Sequence, residues 1–257
     1  MINTRAVRWG TLGGESEDTI LQKDDMAYTH NKKRKSIIED GVISHVNDFG
    51  LDVEHREIFL FPREEYSYGA EEEMSEPGID YTMANQFIKN LRLLSRMTDE
   101  PILVHLKSCG GDWTEGLAIY QAIKACRNHI TILNYASARS MSSVIFCAGD
   151  YRVMLPYSDF MVHTGTLTFS GTGTQVETEY EQKQRADNIM FEIYLQHLRK
   201  SDKFENWTDK RIVSWLTKTM KEKEEVYFTA EECLEYNWAD TIFGADGDYD
   251  WDTLIKG

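Results

Sequence analysis

Three short stretches of this 257-residue chain hold residue types that acyl transfer requires: a nucleophile, a base for its proton, and donors for a developing oxyanion. In "NYASARSMSSVI", Asn134 to Ile145, four serines stand directly ahead of an apolar run. Ser140 lies where that run begins a helix, so free N–H groups and the helix dipole favour negative charge beside it, with the Met141 amide next in line. In "SCGGD", Ser108 to Asp112, Gly110 and Gly111 let bare backbone N–H groups approach a ligand. The run "DFMVH" ends in His163, a candidate base. Each signal alone has a plainer reading: a paired-glycine turn, a serine N-cap, a histidine bonded to a neighbouring carbonyl. The surrounding "ARSMS" is not the G-x-S-x-G elbow of α/β-hydrolases.

The elements that must position these residues alternate. "REIFLF", Arg56 to Phe61, is a short strand ended by Pro62, and ordered folding begins just before it with "GVISHV". Met83, Phe87, Leu91 and Leu94 recur at helical spacing behind Asp80, a helix cap. Pro101 to Leu106 is a buried strand, and the Gly-Gly turn leads it into the helix "TEGLAIYQAIKAC". "HITILNY" is the next strand, "SMSSVIFCAG" the next helix, and "YRVMLP" and "DFMVH" are two further strands. Strand–helix alternation implies parallel strands joined by crossovers. A long polar-rich helix follows from about Thr174 to Leu198, with Val176, Tyr180, Met190, Ile193 and His197 near one stripe. "DKRIVSWLTKTM" is a second amphipathic helix, and Thr229 with Glu232 has capping-box spacing.

Composition narrows the function classes. Hydrophobic residues at 41% support a substantial core, while a net charge of −15 repels phosphate backbones and argues against nucleic-acid binding. Neither a run of ~18 apolar residues nor a secretory leader is evident, so the expectation is a cytoplasmic protein without a membrane partner. Cys109, Cys126, Cys147 and Cys233 are scattered without a CxxC pair, which predicts buried reduced thiols and neither metal nor cofactor. Residues 1–41 read as an arm whose basic "KKRK" (Lys32 to Lys35) is solvated; residues 42–243 read as the folded domain, and 244–257 as a tail. Six glutamates in "REEYSYGAEEEMSEPG" mark an acidic surface insertion at 66–78.

In order and at nearly constant spacing, these motifs resemble the proteolytic subunit (ClpP) family of the Clp proteases. Ser108-Cys109-Gly110-Gly111 matches that family's Ser-Pro-Gly-Gly turn, and Ala138 to Ser142 matches its Ala-Ala-Ser-Met-Gly. Leu155 to His163 matches Leu-Pro-Asn-Ser-x-x-Met-Ile-His, and "TAEECLEYNWAD" matches its closing motif. The resemblance implies the α/β ClpP/crotonase fold of repeated strand–turn–helix units with a strand–helix handle, assembling into rings. It implies Ser140 as nucleophile, His163 as general base, Gly111 and Met141 as oxyanion donors, and Glu225 in the place of the family's aspartate. Gly110, Thr164 and Gly165 fall along the substrate groove, whose wall in the family is a strand matching "TGTLTFSGTGTQ". A homo-oligomer of stacked heptameric rings, unfolded polypeptide as substrate and an AAA+ unfoldase of the Clp class as partner follow by the same resemblance. Cys109, Ser142 and Glu225 depart from the family's proline, glycine and aspartate. They leave open a catalytically impaired ring subunit beside the active serine peptidase. A crotonase acting on acyl-CoA would not need Ser140 paired with His163, and a serine–lysine peptidase would have to recruit Lys107.

Overall fold

The computed structural model describes residues 42–62, 76–166, 168–245, 247, 250, 251 and 254. The whole leading arm, residues 1–41 with its basic cluster at Lys32 to Lys35, and the acidic insertion up to residue 75 lie outside them. The chain divides into two units, Met1–His45 and Val46–Gly257; everything below concerns the second, apart from the start of helix α1 (Val42–Phe49).

Strands β1 (Leu51–Asp52) and β2 (Glu57–Leu60) form an antiparallel edge. Helix α2 (Tyr81–Met97) then crosses to β3 (Ile102–Ser108), α3 (Trp113–Lys124) to β4 (Ile130–Arg139), and α4 (Met141–Phe146) to β5 (Tyr151–Met154). Strands β2 to β5 pair in parallel, as the alternation requires, and β8 (Thr241–Ile242) adds to β5 in the same sense. Apolar side chains on both faces of β3 and β4 explain their nearly continuous burial: one face meets the helices, the other holds Leu103, Leu133 and Val153 against Phe243 and Leu254.

Strand β4 is longer than its sequence pattern suggests, and its length creates the site. Thr131 to Asn134 pair with β5, whereas Ser137 to Arg139 pair with β6 (Asp159–Val162), so the sheet forks along a single strand. The buried Asn134 amide donates to the Asp159 carbonyl at 2.8 Å and stitches the fork. Strand β7 (Val226–Thr229) lies antiparallel on β6. Helices α5 (Gly173–Leu198), α6 (Asp209–Lys223) and α7 (Ala230–Glu235) complete the unit.

Local capping follows the chemistry of the chain. Asp80 accepts from the amides of Thr82 and Met83, both at 2.9 Å, and Thr229 and Glu232 form the reciprocal capping box. Three expectations need correction. None of the described residues from His163 to Thr172 is in a strand: most are exposed, and they pair with no ladder partner that would hold them extended. The stripe on α5 is only half a core face, because Met190 and Ile193 are buried whereas Val176 and Tyr180 face solvent. Nor are all four thiols buried: Cys147 and Cys233 are, Cys109 and Cys126 only partly, and none is in a disulfide.

Candidate active site

Ser140 stands at the junction of β4 and α4 with φ 52° and ψ −124°, a conformation an L-residue adopts only when neighbours enforce it. They do. Its N–H donates to the Met161 carbonyl at 2.9 Å, and its carbonyl accepts from the Ser143 amide at 3.1 Å and the Ser143 hydroxyl at 2.5 Å. Two other serines of the stretch, Ser142 and Ser143, have partners of their own. Ser143 also bonds the Tyr194 hydroxyl at 2.6 Å, and the Ser142 hydroxyl donates to that of Ser108 at 2.8 Å. Both are fully buried, so these partners remove the penalty of stranded hydroxyls.

The double glycine fits against this junction. A Cβ on Gly110 (φ 110°) would lie 2.6 Å from the Ser140 Cβ and 2.9 Å from the Arg139 carbonyl oxygen. A Cβ on Gly111 (φ 145°) would strike the Ile79 backbone at 2.2 Å. The Ile79 amide donates to the Gly110 carbonyl at 2.6 Å, and the Asp112 amide donates to the Ile79 carbonyl at 2.9 Å. A trans peptide points its N–H opposite to its C=O. With the Gly110 carbonyl engaged by Ile79, the Gly111 N–H is turned the other way, and Gly111 lines the cleft that Ser140 enters. Met141 opens α4 on the same cleft, with a first-turn amide that has no intrahelical acceptor.

His163 follows the last residue of β6, and its Nε2 lies 2.7 Å from the Ser140 Oγ. Burial holds the imidazole below its ordinary pKa; the Glu225 carboxylate opposes that effect and the Lys183 ammonium adds to it. The ring is therefore neutral near pH 7, as an acceptor for a hydroxyl proton must be. Glu225 is one step beyond the β6–β7 ladder, whose last pair is Val162 with Val226, and so stands across from His163. Among the described residues no hydrogen bond joins the two. Instead the Tyr227 hydroxyl donates to Glu225 Oε2 at 3.0 Å. The Arg139 guanidinium lies 5.2 Å from the Tyr227 ring centroid, anchored by a two-point pairing with Asp159.

The cleft has a volume of about 570 Å³. Gly111, Ser140, Met141, His163, Thr164 and Gly165 line it together; Gly110 packs behind Ser140 and Glu225 stands outside the lining. Trp113, Val144 and Met190 give it an apolar side, and Glu179, Lys183 and Asp187 from α5 a polar one. Lys107 does not reach it, being half exposed and paired with Glu76 at 3.2 Å. No local pattern marks Tyr227, Lys183 or Asp187, because cross-strand pairing and helix packing bring them here. Among the described residues no group of three or more His, Cys, Asp or Glu could hold a metal ion, and no helix is long and apolar enough to cross a membrane.

Comparison with known proteins shows the family and the fold. The family model described as Clp protease matches residues 72–246, more than half of the chain. The chain belongs to the Clp protease family. Curated Clp relatives include an ATP-dependent Clp protease proteolytic subunit of Deinococcus radiodurans, 27% identical over 168 residues, covering 64% of this chain and 76% of that protein. Another is the ATP-dependent Clp protease proteolytic subunit 2 of Tropheryma whipplei, 27% identical over 174 residues, covering 64% and 86%. A solved mutant of ClpP1 from Listeria monocytogenes superposes with a TM-score of 0.58 at 16% identity, covering 79% of this chain and 96% of its own. That likeness shows the ClpP fold.

Proposed function

We propose that this Clp-family chain is a serine endopeptidase subunit that hydrolyses unfolded polypeptide. One observation carries the reading: the 2.7 Å contact between Ser140 Oγ and His163 Nε2, made by a serine held with positive φ beside the Gly110–Gly111 turn. In the proposed reaction His163 takes the hydroxyl proton as Ser140 attacks the peptide carbonyl. The amides of Gly111 and Met141 receive the oxyanion, and losing one such donor costs about 3 kcal/mol in the barrier. His163 then passes its proton to the leaving amine, and water releases the acyl group by the reverse sequence. Glu225 stabilises the imidazolium and holds its tautomer. Thr164, Gly165 and Gly110 form and back the groove that takes extended peptide. The reading extends to stacked heptameric rings, and to a Clp-class ATPase that supplies unfolded substrate and accounts for ATP dependence. It further places the protein in the cytoplasm, with residues 1–41 an arm, 66–78 an insertion and 244–257 a tail.

A second reading, a catalytically impaired ring subunit, is favoured by the Glu225–Tyr227 hydrogen bond, which occupies the carboxylate that would orient His163. Hydrolysis of a fluorogenic peptide by wild type and by Ser140→Ala, with particle mass measured on the same samples, separates the two. The peptidase reading expects turnover that the alanine variant loses by several orders of magnitude; equal rates leave the impaired subunit.

A further inference from the structure

The apolar stripe along α5 is interrupted where it crosses the cleft. Val176, Tyr180, Lys183, Asp187 and Met190 follow one another at helical spacing, so one ammonium and one carboxylate replace hydrophobes on a single face. The pair is not a solvated surface contact. Lys183 Nζ lies 2.5 Å from Asp187 Oδ1 and 2.6 Å from the carbonyl oxygen of Thr164, and both side chains are more than two-thirds buried. Thr164 is the residue after His163 and is exposed, and the described residues that follow it belong to no strand.

We propose that Lys183, clamped by Asp187, is a positioning residue for the acyl-transfer site: its ammonium holds the Thr164 carbonyl and thereby the backbone that presents His163 to Ser140. This deepens the peptidase reading and rests on it. A free carbonyl at Thr164 would let the segment swing and take the imidazole with it; misplacement by about 1 Å costs on the order of 100-fold in rate. A charge-assisted bond from a half-buried ammonium restrains it more tightly than a neutral donor. Clamping by Asp187 removes the freedom of a four-carbon stem, which lysine otherwise retains.

The same pair sets the electrostatic surroundings of the base. His163 faces Lys183 and Asp187 from α5, with Glu179 also on that wall, Glu225 from the approach to β7, and Asp112 from the α3 cap. Lys183 opposes protonation of the ring, and by Coulomb's law a carboxylate 2.5 Å from that ammonium offsets part of its field. Neutralising one member should therefore shift the titration of His163 one way, and neutralising the other should shift it back.

The test is the rate at which a fluorophosphonate labels Ser140 across pH 5 to 9, in wild type, Lys183→Met, Lys183→Arg, Asp187→Asn and, as a distant charge control, Lys218→Met. Lys183→Met loses the tether and the cation: labelling at pH 8 falls roughly 10-fold, and its acid limb moves up by about half a pH unit. Asp187→Asn moves the limb down by a similar amount, and Lys183→Arg keeps the wild-type limb and recovers much of the rate. Lys218→Met leaves both unchanged. A merely structural loss would slow labelling in both neutral variants without opposite movements of the limb, and that result overturns the clamp while the peptidase reading stands. Wild type that never labels overturns both.

Discussion

A methyl group on Gly110 would have to occupy space already held by the Ser140 Cβ at 2.6 Å and the Arg139 carbonyl at 2.9 Å, on a backbone with φ of 110°. Gly110→Ala is therefore expected to displace Ser140, the proposed nucleophile, relative to the Gly111 amide. Peptide hydrolysis should fall at least ~100-fold, and thermal unfolding should show a loss of about 2 kcal/mol. Glu225 carries a separate prediction. Replacing it with glutamine removes the anion that supports protonation of His163, so the folded pKa of the imidazole falls further. The ring then stays neutral to lower pH, and the acid limb of kcat/KM moves down, while the maximum rate drops roughly 100-fold because the imidazolium loses its stabilising charge. A rate and a limb both unchanged would remove Glu225 from the machinery. Ser140, His163 and the double glycine were readable in the sequence because each sits at an element boundary where a local motif advertises it. Tyr227 and Arg139 were not, since a phenol bonded to Glu225 and a guanidinium over its ring depend on β6 and β7 lying side by side.

At the scale of elements, the tie between α5 and β5 should make stability depend on acid. His197 near the end of α5 donates from Nε2 to the Cys147 carbonyl at 3.1 Å, and its Nδ1 accepts from the Arg152 guanidinium. Arg152 is buried and grips Asp240 through two hydrogen bonds, at 2.8 and 2.7 Å. Burial and then the Arg152 charge push the His197 pKa down to about 3. The unfolded chain takes up a proton near the ordinary value of about 6.5, which the folded chain refuses until pH 3. Stability contributed by the neutral ring is thus present above pH 6.5 and lost as pH falls toward 3, by up to about 2 kcal/mol between pH 7 and 5. Denaturant unfolding of His197→Gln over that range should show a shallower loss than wild type; parallel slopes would reject the assignment. Strand–turn–helix order was legible because parallel strands buried on both faces read as apolar runs, and Asp80 and Thr229 marked helix starts. The fork in β4 was hidden, because "ASAR" is a weak strand by composition and is extended by its pairing with β6. Conversely, the Thr- and Gly-rich run after His163 has strand composition, yet none of its described residues joins a ladder.

For the whole molecule, the exposed start of α5 is the surface on which ring stacking can be tested. Val176 and Tyr180 are four residues apart on one face and are 37% and 55% exposed among the described residues. An exposed tyrosine and a valine on one helical stripe are suited to burial between copies, where aromatic anchors carry much of the binding energy. Each chain also carries a net charge of −15, so association works against mutual repulsion, which salt screens within about 10 Å at 0.1 M. Two outcomes follow for the stacked-ring reading. Particle mass in sedimentation should rise with ionic strength at fixed protein concentration. The double substitution Val176→Glu and Tyr180→Glu should lower the mass to that of a single ring or less, because it places two more anions in the contact. Since neither side chain contributes to the core, its thermal unfolding measured on the dissociated chain should stay within about 0.5 kcal/mol of wild type. If the mass is unmoved by both salt and substitution, the copies do not meet through this helix. A lowered mass accompanied by slower labelling of Ser140 would instead tie assembly to catalysis, because the stripe that leaves the domain at Tyr180 is the same one that bears Lys183 and Asp187 above the cleft.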